Sequence, residues 1–266
     1  MKKINFKVVT LFPDLITAYL KDALLSKAIK NNLLEVEVIN LRDQAQKKYN
    51  SVDDTVFGGG DGMLLQCEPL AETLKFLGIS KKNDPLRKVI YLSPQGRKWN
   101  NKLAQQWINL EEIILVCGRY AGVDQRFIQK YVDEEISIGD FILSGGELAA
   151  LAVIETMSRF IPGVLGHAQS ATQDSFENGL LEAPQFTKPQ NFDGQLVPQT
   201  LLSGNHQKIA EWRQQVSVLI TFKKRPELLL GQKINWPQVK AFYDQLPQTD
   251  KIMLDILNLN FDQELK

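Results

Sequence analysis

The sequence predicts an α/β domain built on a parallel sheet, followed by a long linker and a small all-α domain. Three observations predict it. Up to about residue 165, short apolar runs rich in β-branched residues alternate with stretches of helical periodicity. That order lays strands side by side with helices packed on both faces of the sheet. Residues 161–205 then become rich in Gly, Pro, Ser, Thr, Asn and Gln, with few apolar runs. From His206 onward the periodicity is helical.

The elements follow in chain order. Phe6 to Leu11 reads as a buried strand, and Pro13-Asp14 opens an amphipathic helix through Lys30, with Leu15, Tyr19, Ala23 and Leu24 near helical spacing. Leu34 to Ile39 alternates with period two, the signature of a strand. A polar stretch from Arg42 to Asp54 leads to Gly58-Gly59-Gly60-Asp61-Gly62, and Glu68-Pro69 starts a helix, since proline is tolerated in a first turn. Val89 to Leu92 and Ile113 to Val116 read as strands, with a helix around Lys98–Ile108 between them. A short helix at about Asp124–Tyr131, a strand at Glu135–Ile138 and a long apolar helix from Gly145-Gly146-Glu147 to Arg159 complete the first domain. Helices are expected at about 207–222, 226–231, 236–246 and 249–259. The chain thus divides into 1–165, a linker at 166–178 and a helical domain at 179–266.

At 266 residues the chain is long enough to bury a sizeable core. Its 31 basic and 31 acidic side chains balance, so composition alone does not mark a nucleic-acid binder and any such footprint must be local. One candidate is the stretch 203–225, where Lys208, Arg213, Lys223, Lys224 and Arg225 face Glu211 alone; a solvated helix face is the alternative. No apolar run reaches eighteen residues, and the apolar stretch Val8–Leu11 is too short for a signal peptide, so a cytoplasmic protein without a membrane span is expected. Cys67 and Cys117 stand far apart and read as core residues. The two histidines, His167 and His206, lack the partners at suitable spacing that a metal site or a Ser-His-Asp machine would need.

Open parallel sheets bind ligands at the carboxyl ends of their strands. Three loops expected there share a glycine-rich, charge-poor texture: Ser93-Pro94-Gln95-Gly96-Arg97, Gly118-Arg119-Tyr120-Ala121-Gly122, and Ile138 to Gly146. Glycines let backbone approach a ligand closely. The dinucleotide fingerprint is absent after the first strand, where Thr10-Leu11-Phe12-Pro13-Asp14 stands, and there is no Walker lysine motif. A ligand here would be held by backbone contacts without a phosphate grip, as an adenosine lacking phosphates would be. In the linker, Asp174 sits among hydroxyls in Ser170-Ala171-Thr172-Gln173-Asp174-Ser175-Phe176. Hydrogen bonds from hydroxyls keep a carboxylate ionised and able to act as a base; a helix cap or Asx-turn at Asp174 is the alternative.

Taken together, several segments resemble the bacterial tRNA (guanine-N1-)-methyltransferase family. They are Tyr91 to Arg97, Cys117-Gly118-Arg119-Tyr120, Ser137 to Glu147, Ser158 to His167, Asp174-Ser175-Phe176, Leu201 to His206 and Arg225 to Leu229, in the family's order along essentially the whole chain. The resemblance implies a SPOUT-type fold with a deep trefoil knot from about Tyr91 to Leu148, which periodicity could not have disclosed. It implies that S-adenosylmethionine sits in the knot against Tyr91, Leu92, Ser93, Pro94, Gln95 and Gly96, against Gly118, and against Ser137, Ile138, Gly139, Leu143, Gly145 and Gly146. It also implies a homodimer with the active site between subunits, and a tRNA substrate carrying guanosine at position 37, preceded by guanosine and modified in support of reading-frame maintenance. The basic stretch of the helical domain would grip the anticodon stem through phosphates, with the guanine turned out into the pocket.

Guanine N1 carries a proton at neutral pH, so a base must remove it. Asp174 aligns with the family's proposed base. Negative charge then builds on O6, and Arg159 aligns with the arginine thought to stabilise it. The chain also departs from the family. Ala121 stands where the family usually has a glutamate linked to the donor and to Mg2+, Asp61 adds a charge to the glycine loop, and Ala149 replaces a proline. Two rival readings follow: a related SPOUT enzyme with another RNA substrate, which the segments from Leu201 to Leu229 oppose, and a decayed RNA-binding member, which Ala121 and Asp61 favour.

Overall fold

The computed structural model describes residues 3–45, 51–59, 62–80, 82–166 and 174–261. The chain forms two compact units, Met1–Ala168 and Gln169–Lys266.

The first unit is a five-stranded sheet in the order β2-β1-β6-β5-β7. Its strands are β1 (Ile4–Thr10), β2 (Leu34–Asn40), β5 (Arg87–Lys98), β6 (Glu112–Cys117) and β7 (Glu134–Ser137). Every pairing is parallel: Phe6 lies opposite Val36 and Ile113, and Ile90 opposite Leu115 and Glu134. Alternate residues of β6 feed two cores. Ile113, Leu115 and Cys117 join Phe6, Ile90, Leu92 and Ile136 under α5 (Asn101–Trp107) and α7 (Glu147–Ser158). Ile114 and Val116 join Val89 and Tyr91 under α4 (Cys67–Phe76) and α6 (Gln125–Tyr131). A central strand buried on both faces has to read as a continuous apolar run, whereas the edge strand β2 alternates buried or half-buried positions with the exposed Glu35 and Glu37. Each fully buried Leu, Ile or Phe here contributes roughly 1.5–3 kcal/mol.

The structure departs from the sequence reading in four places in this unit. The helix expected over 13–30 is two, α1 (Pro13–Leu20) and α2 (Ala23–Lys30), because the Asp22 carboxylate accepts from the Ala23 N–H at 2.6 Å and caps a new start. A short helix, α3 (Leu41–Ala45), begins the polar stretch. A hairpin of β3 (Asp53–Thr55) and β4 (Met63–Leu65) encloses the glycine run; Gly60 and Asp61 lie outside the described residues. Lastly, Ser93–Arg97 is no strand-end turn. Strand β5 runs on through Lys98, and its register against β7 shifts between Leu92 and Arg97. Pro94 has no N–H to give a ladder, so an interruption there costs little.

The second unit begins with a turn at 174–180 and carries helices at Gln199–Leu202, His206–Lys224, Trp236–Gln245 and Gln248–Met253, with a 3-10 turn at Pro226–Leu229. Trp212, Val216, Leu219 and Ile220 share one face of the long helix and pack with Val239, Leu254 and Ile256. Phe222 stacks on Phe261 with ring centres 5.4 Å apart. A small hairpin, β8 (Asn191–Phe192) with β9 (Gln195–Leu196), adds two strands to a unit expected to be all helical. Its turn residues Asp193 and Gly194 both have positive φ, at 51° and 85°, the geometry an Asp-Gly two-residue turn provides. The last helix ends at Met253 and not near 259, because Asp255 takes a φ of 53° and turns Ile256 into the core. Among the described residues no helix is long and apolar enough to cross a membrane.

Candidate functional site

A cleft of about 410 Å³ opens in the first unit. Three stretches line it: Tyr91 to Gln95 of β5, Gly118 to Val123 after β6, and Glu135 to Gly146 from β7 toward α7, apart from Asp140. The cleft therefore collects segments that follow or interrupt neighbouring parallel strands, as open sheets do. Tyr91, Leu92, Ser93, Pro94 and Gln95 meet Gly118 there, together with Ser137, Ile138, Gly139, Leu143, Gly145 and Gly146. Gly96 does not line it. An added Cβ at Gly96 would run into the backbone of Glu135 and Ile136, so this glycine serves the close passage of β5 along β7.

Two other glycines keep the cleft open. A Cβ on Gly118 would lie 2.9 Å from the Tyr91 ring. A Cβ on Gly146 would lie 2.8 Å from the Cys117 Cα, and the Gly146 N–H donates to the Gly118 carbonyl at 3.0 Å. Because backbone cannot give way as a side-chain tip does, Gly146→Ala is expected to cost about 1–3 kcal/mol. Thermal melting should show it, against Gly166→Ala as control, where an added Cβ meets nothing within 4 Å. Equal melting of the two variants would refute the packing argument.

Polar side chains tie the walls together. Arg119 bridges to Glu147, with Nη2 3.0 Å from Oε2 and Nε donating to Oε1 at 3.3 Å. Its Nη1 donates to the Ser144 carbonyl at 3.3 Å, and its guanidinium lies 4.1 Å from the centre of the Phe12 ring. The Thr10 hydroxyl donates to Glu147 Oε1 at 2.7 Å. The Arg119–Glu147 pair is largely withdrawn from solvent, the side chains being 16% and 2% exposed. Burial pushes the Cys117 thiol well above its ordinary range, with the Glu147 charge adding to it, so Cys117 stays a neutral core group. The Tyr91 phenol is raised by burial first and by the Glu135 carboxylate second. The Ser137 hydroxyl donates to the Gly139 carbonyl at 3.1 Å and fixes the turn out of β7. Among the described residues lining the cleft, Arg119 is the one cation and Glu135 the one carboxylate.

Of the two residues expected to act on the reacting base, Arg159 does not line this cleft and Asp174 belongs to the other unit. Arg159 ends α7 in the first unit, half-buried. Asp174 opens the described part of the second unit, and its carbonyl accepts from the Glu177 N–H at 3.4 Å in a turn that starts no helix. No helix starts there for Asp174 to cap, and the Asx-turn half of the alternative stands. The Ser175 hydroxyl accepts from the Glu182 N–H at 3.0 Å, while Ser170, Thr172 and His167 lie outside the described residues. Sequence reasoning missed Glu135 and Gln125, both in the cleft wall, whereas Tyr120 and Phe141 lie in the candidate loops but were given no role of their own. For Glu135 a signal existed: it alternates with Ile136 along a strand and so shares a face with Ser137. Of the basic stretch, Lys208, Arg213, Lys223, Lys224 and Arg225 are exposed, but Lys223 pairs with Asp255 and Arg225 with Glu227. Among the described residues no group of three or more His, Cys, Asp or Glu side chains is placed to hold a metal ion.

Comparison with known proteins bears on this arrangement. Residues 4–231 match the family model described as tRNA (Guanine-1)-methyltransferase TrmD. The chain is 47% identical over 236 residues to the tRNA (guanine-N(1)-)-methyltransferase of Hahella chejuensis, covering 88% of this chain and 90% of that protein. It is 48% identical over 226 residues to the protein of that name from Pseudoalteromonas translucida, covering 84% and 86%. Against the one from Pseudomonas entomophila it is 42% identical over 250 residues, covering 94% and 99%.

Proposed function

The chain belongs to the tRNA (guanine-1)-methyltransferase family, and from that premise we propose that it transfers a methyl group from S-adenosylmethionine to N1 of guanosine 37 in tRNA. The observation that carries the reading is the cleft: glycine-lined backbone from three neighbouring strands, with the one cation among its described lining residues already neutralised by a buried carboxylate. Such a wall suits an adenosine and its uncharged ribose, and among its described residues it offers no free cation to a phosphate. When bound, the donor supplies an activated methyl group on a sulfonium. The residues to hold it are Tyr91 to Gln95, Gly118, Ser137 to Gly139, Leu143, Gly145 and Gly146, with Gly96 shaping the strand behind. The deep knot between Tyr91 and Leu148 is part of this reading, and the close backbone passages at Gly96 and Gly146 support it.

Asp174 removes the N1 proton, and Arg159 stabilises the charge that builds on O6; holding both reactants in line supplies much of the remaining acceleration. The active enzyme is a cytoplasmic homodimer whose active site forms between subunits. The exposed apolar side chains of the first unit, such as Ile142 at 80% and Leu148 at 62%, support a surface covered by a second copy. The exposed cations Lys208, Arg213 and Lys224 in the second unit supply phosphate contacts to the anticodon stem. Ala121 offers no carboxylate to Mg2+, so any contribution of that ion has to come from elsewhere. The match of Pseudomonas entomophila's protein along 94% of this chain, second unit included, favours this substrate over another RNA, and the presence of Asp174 and Arg159 favours an active enzyme over a decayed one.

The test is methyl transfer to tRNA transcripts with guanosine or adenosine at position 37, followed by mapping of the modified base. Transfer is expected only to the guanosine transcript and only at N1 of that residue. Methylation elsewhere, or none with donor saturating and magnesium present, contradicts the reading.

A further inference from the structure

We propose that Glu135 recognises the positive charge of the methyl donor, so that the cleft selects a cationic adenosyl ligand over an uncharged one. The inference rests on the reading of this cleft as the donor site. Arg119, the one cation among the described residues of the cleft wall, is spent on Glu147. Glu135, the one carboxylate, is half-buried and belongs to none of the ion pairs among the described residues. The contrast along the same strand is informative. Glu134 turns to the opposite face and pairs with Lys88 at 2.7 Å, so the sheet supplies a counter-ion where a carboxylate is structural. On the cleft face no described residue forms an ion pair with Glu135.

The placement of Glu135 is fixed by backbone. It lies in register opposite Tyr91 across the β5–β7 pairing, which puts the two side chains on one face, and the carboxylate helps hold the Tyr91 phenol above its ordinary range after burial. Two aromatic side chains, Tyr120 and Phe141, line the same cleft and remain 52% exposed each. Aromatic faces attract cations, and a partly desolvated carboxylate attracts them over a longer range. A wall with one uncompensated negative charge and two aromatic faces is built for a ligand carrying a positive centre. The thioether product has lost the sulfonium charge but keeps the ammonium, so a carboxylate at the sulfonium holds the product less than the donor and one at the ammonium holds both.

Calorimetric titration of the full chain tests this with three ligands: S-adenosylmethionine, S-adenosylhomocysteine, which keeps the ammonium but lacks the sulfonium, and 5′-methylthioadenosine, which lacks both. Glu135→Gln is expected to weaken S-adenosylmethionine about tenfold, the scale of one contact to a charged group, and to leave 5′-methylthioadenosine unchanged. Glu135→Asp keeps the charge and should recover part of the loss. Weakening confined to S-adenosylmethionine places the carboxylate at the sulfonium, and equal weakening of it and S-adenosylhomocysteine places it at the ammonium; both support charge recognition. A variant that weakens all three ligands alike, or none, overturns it. Melting of the unliganded variants shows whether the fold is intact, and Glu135→Gln has no ion pair to lose. A wild-type protein that binds none of the three overturns the donor-site reading itself, a result distinct from lost discrimination.

Discussion

Asp174→Asn is expected to bind S-adenosylmethionine within about threefold of the wild type and to transfer methyl roughly a thousandfold more slowly, inside the range for removing a positioned general base. The reason lies in the nucleophile. Guanine N1 is protonated at neutral pH, so its lone pair is released only as the proton leaves. A carboxylate accepts that proton and a carboxamide does not, although the two are nearly isosteric. Asp174 belongs to the second unit, whereas the described cleft walls are residues of the first, so the substitution changes none of those wall residues. Single-turnover methyl transfer at saturating donor and tRNA, beside calorimetric donor binding, separates the two effects. Turnover near wild type in Asp174→Asn removes this residue from the role of base.

Arg119→Ala is expected to be the most destabilising single change in the cleft wall. It would leave the Glu147 carboxylate, 2% exposed, with the Thr10 hydroxyl as its remaining partner within the pair's network. Breaking a buried ion pair by removing one member costs about 3–5 kcal/mol, because an uncompensated charge stays behind. For a chain of this size that lowers the melting temperature by roughly 10 °C. The loop at Ser144 also loses its tie to the segment after β6, so donor affinity should fall with stability. Replacing both partners with apolar residues, Arg119→Met with Glu147→Leu, removes the stranded charge and should recover most of the melting temperature while leaving the Ser144 tie broken. If Arg119→Ala melts like the wild type, the pair does not hold the walls together.

Legibility differed from element to element for physical reasons. The strands of the first unit could be read because β6, buried on both faces, leaves a continuous apolar run, and because β2 at the edge leaves an alternating one. The bulge at Ser93–Arg97 could not, since a proline and glycine within a strand look like a turn until the pairing partner is known. The break at Asp22 was hidden by helical spacing that carries over from α1 to α2, and the hairpin at Asp193-Gly194 by its short strands, although Asp-Gly was the available signal. Most of the cleft wall was legible as glycine loops. Its electrostatics were not: the pairing of Arg119 with Glu147 and of Thr10 with Glu147 spans 28 and 137 residues of chain, and no local pattern records such contacts. Glu135 fell between the two cases, placed on the right face by alternation but without a neighbour to give it meaning.

Amide hydrogen exchange with and without S-adenosylmethionine tests the central claim most directly, because it reports where the donor binds without relying on turnover. Slowed exchange is expected for the amides of Leu92 to Gln95, Gly118 to Gly122 and Ile138 to Gly146, Pro94 having none to report. Protection confined to the second unit, or no protection at saturating donor, would contradict the assignment of this cleft.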